Sequence, residues 1–170
     1  MLLIRIIIYT FIFLSTSIIG ILISKKYSNR VRELKDFKMG LGMFKAKIRF
    51  TYEPIPEIFK EIANSINSNI GRVFGIASKN MNMIAAGRAW EMAIQDTVLL
   101  NISEEDKNVL KNLSKLLGKT DAEGQVNQIE ITESFLDEQI IKAEEEKIKS
   151  EKMYRSLGVI IGLAIVIVLM

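Results

Sequence analysis

The chain has 170 residues, enough for one compact domain, and its composition is 49% hydrophobic and 25% charged with a net charge of +3. The small positive charge forms no basic stripe, which argues against nucleic-acid binding. Cysteine and histidine are both absent, so the sequence excludes disulfides, thiolate chemistry and the most common metal ligands and general bases, and it disfavours an enzyme.

The first predicted element is a membrane-spanning helix over residues 1–24. Residues 6–24 are nineteen consecutive uncharged positions, about 28 Å of helix, which matches a hydrocarbon core of roughly 30 Å. The alternative is a cleaved signal peptide, whose apolar region usually covers about 7–15 residues before a small-residue cleavage site. Because this run is longer and leads directly into Lys25 and Lys26, the sequence favours a retained helix.

The helical spacing of apolar residues over 25–155 predicts an all-α domain of roughly six helices. An apolar stripe with spacings of three and four residues predicts a long first helix. The stripe contains Tyr27, Val31, Leu34, Phe37, Leu41, Phe44 and Ile48. Pro54 and Pro56 interrupt the chain and favour the start of a second helix, which contains Ile58 to Ile66. A third helix contains Ile70 to Ala77, and a fourth begins near Ala85.

Two further helices are predicted from residues that are typical of helix starts and ends. Ser103 and Asp106 resemble a capping box for the fifth helix, which continues through Leu117 and stops at Gly118. The sixth begins at Thr120 or Asp121. Its predicted core residues are Val126, Ile129, Leu136, Ile140 and Ala143. Residues 144–152 are polar nearly all round, which is typical of a solvated stalk.

A second membrane-spanning helix is predicted over residues 156–170. The uncharged run Leu157 to Met170 is fourteen residues, about 21 Å of helix, and it becomes long enough if it extends back to Met153. The alternative, a helix buried in a water-soluble core, is disfavoured because the segment has no polar stripe. Gly158 and Gly162 would let a second helix approach closely. That partner is either the first span, through Gly20, or another copy.

Basic residues predict the orientation of the two spans. Lys25, Lys26 and Arg30 follow the first span, and Lys147, Lys149, Lys152 and Arg155 precede the second, whereas only Arg5 lies on the other side of either. The positive-inside rule therefore predicts a cytoplasmic middle domain with both termini outside.

The middle domain shows no pattern typical of catalysis, cofactor binding or metal binding. Glu104–Asp106 and Glu144–Glu146 are best interpreted as solvated helix faces, because both clusters lie beside lysines and neither pattern provides the desolvated carboxylate that general acid–base catalysis needs. The Gly71 and Gly75 pair indicates close helix packing. Trp90 is either a core residue or an aromatic anchor for a protein partner.

Several segments together resemble the stage III sporulation protein AB family of endospore-forming bacteria, over nearly the full length. The matching segments are Arg32 to Phe37, Pro54 to Glu57, Ala89 to Glu91, Leu117 to Asp121 with Gln125, and Lys152 to Gly158. The resemblance implies a cytoplasmic domain similar to the F-type platform proteins of type II secretion and type IV pilus machines.

The resemblance also implies a function and partners. The chain would be the non-enzymatic membrane platform of the channel between mother cell and forespore, on the mother-cell side of the forespore-engulfing membrane. Its partners would be a secretion-type ATPase, stage III sporulation protein AA, other channel membrane proteins, membrane lipid and further copies of itself. The residues matched to partner binding are Trp90, Glu91, Gly118, Asp121 and Gln125. For each of them, a role in packing, helix capping or turn formation is the alternative. A membrane-tethered adaptor or sensor that recruits a cytosolic protein is the alternative.

Overall fold

The computed structural model describes residues 2–51, 53–97 and 100–169, and within these ranges the chain is all-helical, with no strand. The six helices are α1 (Leu2–Phe50), α2 (Ile55–Ser65), α3 (Asn69–Asn80), α4 (Ala86–Asp96), α5 (Glu104–Asn112) and α6 (Ala122–Leu169), with a 3₁₀ turn at Leu113–Lys115. The predicted helical class and number of helices are confirmed. Met1, Tyr52, Val98, Leu99 and Met170 lie outside what is described, as do the side chains of residues 2–7, Phe13, Arg155 and Leu169.

The chain divides into two compact units. The terminal unit contains Met1–Val31 and Lys142–Met170, and the central unit contains Arg32–Ile141. The apolar part of α1 is long and hydrophobic enough to cross a membrane, and it is the one candidate span found among the described residues. The second span and the boundaries at 24 and 156 stay predictions.

The core of the central unit is built around a cluster of aromatic rings. Trp90 lies 5.2 Å from Phe74, 5.6 Å from Phe59 and 6.3 Å from Phe37, measured between ring centroids. Phe44 packs edge-on against Phe59 at 4.9 Å. These five residues come from four helices, so the cluster joins α1, α2, α3 and α4, and each of its side chains is fully buried. Edge-to-face pairs of this kind add to the stabilisation from burial.

The aromatic cluster explains Gly40, one of the glycines within α1. A Cβ atom on Gly40 would lie 2.6 Å from the Phe74 ring. α1 nevertheless continues to Phe50 without interruption, because tertiary packing outweighs the low helix propensity of a single glycine. Within the predicted stripe from Tyr27 to Ile48, the residues from Val31 to Phe44 are buried, whereas Tyr27 and Ile48 at its ends are partly exposed.

Ion pairs join α1 to α6 within the central unit. Lys38 Nζ lies 2.6 Å from Asp137 Oδ1, and Lys45 Nζ lies 2.5 Å from Glu133 Oε2. The partner of the later lysine comes earlier in α6, so the two helices run antiparallel here. The predicted core residues of α6, from Val126 to Ala143, are buried.

The fifth helix is shorter than predicted. Its capping box is confirmed: the Ser103 hydroxyl accepts a hydrogen bond from the Asp106 N–H at 3.1 Å, and the Asp106 carboxylate accepts one from the Ser103 N–H at 2.8 Å. The helix ends at Asn112, not at Leu117, because Leu113–Lys115 tighten into a 3₁₀ turn.

In the terminal unit, α1 and α6 pack directly against each other. The Cα atom of Gly158 would lie 3.2 Å from a Cβ atom placed on Gly20. The rings of Tyr27 and Tyr154 stack at 5.8 Å. Arg30 Nη1 lies 2.6 Å from Glu146 Oε2.

Candidate partner-binding face

The structure brings together the five residues that the resemblance matches to partner binding. Trp90 and Glu91 lie on α4, Gly118 and Asp121 in the loop before α6, and Gln125 in the first turn and a half of α6. They therefore occupy the region of the central unit where α4 meets the chain between α5 and α6.

Trp90 belongs to the core and not to the surface. Its side chain is 0% exposed, and its indole Nε1–H donates a hydrogen bond of 2.8 Å to the Leu110 carbonyl. Of the two alternatives, the structure favours the core residue. Trp90 therefore supports this face from beneath, because α4 and the end of α5 are both held by its side chain.

Gln125 is also buried, and it holds the loop before α6. Its amide nitrogen donates to the Leu116 carbonyl at 2.7 Å and to the Thr120 hydroxyl at 3.2 Å. Both acceptors lie in the loop, so this one side chain fixes the loop against α6. Its amide oxygen is buried and has no hydrogen-bond partner among the described atoms.

Gly118 and Asp121 shape the loop where it is exposed. Gly118 has φ +73°, a left-handed conformation that favours glycine, and a Cβ atom there would lie 3.2 Å from that of Ala86. Asp121 caps α6, because its carboxylate accepts a hydrogen bond of 2.9 Å from the Gly124 N–H. An aspartate near this N-terminus is also favoured by the helix dipole.

Glu91 links α4 to the 3₁₀ turn. Its carboxylate accepts a hydrogen bond of 2.7 Å from the Ser114 hydroxyl and lies 3.6 Å from Arg88 Nη1. We use the name α4–α6 face for the accessible residues of this region. They are Arg88, Glu91, Leu116, Gly118, Lys119 and Asp121.

The α4–α6 face is mainly polar and contains one large apolar side chain. It combines both signs of charge with the half-exposed Leu116, as the rims of protein interfaces do. No group of three or more residues able to hold a metal ion occurs among the described residues.

The three glycines predicted to pack membrane helices together, Gly20, Gly158 and Gly162, lie in the terminal unit. Gly20 and Gly158 face each other, and a Cβ atom on Gly158 would lie 2.9 Å from the Thr16 carbonyl oxygen. Gly162 is buried one turn further along α6. Whether this packing also joins separate copies stays a prediction.

Sequence reasoning missed the role of Glu33. This carboxylate is 2% exposed, and it accepts hydrogen bonds from the Asn101 N–H at 2.6 Å, the Asn101 side chain at 3.0 Å and the Asn69 side chain at 3.5 Å. It therefore ties α1 to the start of α3 and to the chain before α5. Glu33 lies within the matching segment Arg32 to Phe37, which was its only signal in the sequence.

Replacing Glu33 with glutamine should lower the free energy of unfolding by about 1.5–3 kcal/mol, because hydrogen bonds to a charged acceptor are lost and the new amide N–H₂ faces other donors. The measurement is urea unfolding followed by circular dichroism. The exposed Glu138→Gln on α6 removes the same charge and should change the stability little. Equal effects of both substitutions would contradict the role of Glu33.

Comparison with known proteins agrees with the resemblance. The sequence profile of the family described as Stage III sporulation protein AB matches residues 5–170. The chain is 28% identical over 165 residues to Stage III sporulation protein AB of Bacillus subtilis (strain 168), covering 94% of this chain and 95% of the relative.

A solved structure has a similar fold. The structure of Stage III sporulation protein AB (SpoIIIAB) superposes with a TM-score of 0.67 at 21% sequence identity, covering 71% of this chain and 98% of that chain. Because the family profile matches almost every residue, the chain belongs to the stage III sporulation protein AB family.

Proposed function

We propose that this protein is a non-enzymatic membrane platform of the sporulation channel between mother cell and forespore. It is held by two spans, 1–24 and 156–170, with residues 25–155 in the mother-cell cytoplasm. There it couples a secretion-type ATPase, similar to stage III sporulation protein AA, to the membrane proteins of the channel.

The observation that carries this proposal is the length of the first and last helices. α1 is 49 residues and α6 is 48 residues, and each contains both an apolar terminal segment and residues of the central core. The proposed platform needs helices of this kind to connect a cytosolic partner to the membrane, and no loop interrupts either helix between its first and last described residue.

The distribution of charge supports the orientation. Lysine and arginine are frequent within fifteen residues after the first apolar run and before the second, whereas Arg5 is the one basic residue on the terminal side of either run. The positive-inside rule places such basic flanks in the cytoplasm.

The α4–α6 face is the proposed contact for the ATPase. Its exposed residues are carried on a region fixed from within by Trp90 and Gln125. A pre-organised surface loses little conformational entropy on binding, which favours a contact that must transmit force. The platform proteins of secretion machines, which this chain resembles, carry two F-type domains. This chain has room for one such domain, so we propose that it acts as an oligomer.

A pull-down of the co-encoded ATPase by the full-length chain in detergent tests the proposal. Wild-type protein should retain the ATPase, and Lys119→Glu should weaken retention by about five- to tenfold, because it reverses a charge within the contact. The matched control is Lys60→Glu, an exposed lysine on α2, which should leave retention unchanged.

Each outcome decides between stated alternatives. Equal loss with Lys119→Glu and Lys60→Glu would indicate general charge attraction and contradict the proposed face. Absence of ATPase from the wild-type pull-down, with the protein folded by circular dichroism, would contradict ATPase coupling and favour the tethered adaptor.

A further inference from the structure

An apolar groove runs along the packed helices of the terminal unit. Its volume is about 310 Å³, and its floor is formed where Gly20 meets Gly158. Its walls are Thr16, Ile19, Ile23, Tyr154, Leu157 and Ile161. The residues on α1 are spaced by three and four positions, so they share one face of that helix.

The polar end of the groove is marked by aromatic and charged residues. Tyr154 lines the groove and stacks on Tyr27, and tyrosines are enriched where a membrane meets water. Within three residues of Ile23 and Tyr154, the charged side chains are those of Lys25, Lys26, Glu151 and Lys152, besides Arg155, whose side chain is not described. The groove therefore opens toward a net positive surface.

We propose that this groove binds one acyl chain of an anionic phospholipid, with the phosphate held by Lys26. The inference rests on the proposed function, because it requires both apolar segments to lie in a membrane. A single flexible chain suits the groove, whose volume is at the lower end for organic ligands.

Lys26 is selected by its position around α1. It follows Ile23 by three residues, so it lies on the same side of the helix as the groove, one turn closer to water. Lys25 follows Ile23 by two residues, which places it about 200° round the helix. Both lysines are exposed, so they form a matched pair with equal charge and nearly equal depth.

Ile19 and Ile18 form a second matched pair. Ile19 lines the groove, whereas Ile18 is two residues from Thr16 and faces away from it. Their exposed fractions are nearly equal, 56% and 55%. Ile19→Trp would fill the groove, and Ile18→Trp would add the same ring elsewhere.

The test is native mass spectrometry of the full-length chain in detergent, titrated with dioleoyl phosphatidylglycerol or dioleoyl phosphatidylcholine. Wild-type protein should retain one phosphatidylglycerol with about fivefold preference over phosphatidylcholine, the preference expected from one lysine near an anionic headgroup. Lys26→Glu should remove the preference and Lys25→Glu should keep it. Ile19→Trp should reduce binding of both lipids, whereas Ile18→Trp should not.

Three results would overturn the proposed lipid site. The first is equal retention of the two lipids by wild-type protein, and the second is an equal loss of the phosphatidylglycerol preference with Lys25→Glu and Lys26→Glu. The third is displacement of the lipid by glycerol phosphate, which has the headgroup chemistry without acyl chains. Carbonate extraction of cell membranes separates this failure from failure of the proposed function. A chain released by carbonate would contradict the membrane platform, and a chain that resists carbonate without preferring phosphatidylglycerol would contradict the lipid site alone.

Discussion

Replacing Trp90 with alanine should lower the free energy of unfolding by about 3–5 kcal/mol, the usual cost of deleting a buried aromatic side chain. The indole contacts the rings of Phe37, Phe59 and Phe74, so its removal leaves a cavity where α1, α2, α3 and α4 meet. It also leaves the Leu110 carbonyl without the hydrogen bond that the indole donates. Because domains are commonly stable by only about 5–15 kcal/mol, this loss is a large fraction of the total.

Urea unfolding of the full chain in mild detergent, followed by circular dichroism at 222 nm, measures this loss. Trp90→Phe is the matched variant, because it keeps an aromatic ring in the cluster and removes the hydrogen bond to Leu110. Its cost should be smaller than that of alanine. If Trp90→Ala unfolds at the urea concentration of the wild type, Trp90 does not hold the core together.

Replacing Gly71 with alanine should destabilise the central unit by about 1–3 kcal/mol or more, because the new methyl group overpacks a backbone contact. A Cβ atom at this position would lie 2.0 Å from the Ile66 carbonyl oxygen and 2.9 Å from that of Ala63. Ala63 lies in the last turn of α2 and Ile66 directly follows that helix, so the chain at the end of α2 would have to move away from α3. A backbone carbonyl cannot rotate away as a flexible side chain can.

Gly75→Ala is the internal control for this prediction. Gly75 lies one turn further along α3, and its Cβ atom would make an ordinary contact of 3.5 Å with the Cβ of Ala63. Alanine also favours helix over glycine by about 1 kcal/mol. Gly75→Ala should therefore leave the urea midpoint unchanged or raise it, whereas Gly71→Ala should lower it. A common shift would show that close packing does not select Gly71.

Local signals predicted most of the fold. The two prolines, Pro54 and Pro56, separate α1 from α2, and the Ser103 capping box begins α5, because each acts through neighbouring backbone. The apolar stripe from Leu34 to Phe44 became the buried face of α1, since helical spacing alone decides which residues share a face.

Roles that depend on contacts with distant residues could not be predicted from local sequence patterns. The role of Glu33 requires Asn101, which is 68 residues away, and no local spacing encodes that contact. The same limit applies to Trp90 and Gln125. Their position in a matching segment indicated importance, but only the three-dimensional arrangement distinguishes a residue that supports a surface from one that belongs to it.

The pairing of the first helix with the last has a consequence for synthesis of the chain. Lys38 and Asp137 are 99 residues apart, and Lys45 and Glu133 are 88 apart. The central core also needs Val126 to Ile140 from α6. α1 is made first, yet its inner face is completed only when α6 has left the ribosome. Long-range closure of this kind is slow. Nascent chains truncated before α6 would therefore display uncovered apolar side chains and be more open to proteolysis than chains that include α6.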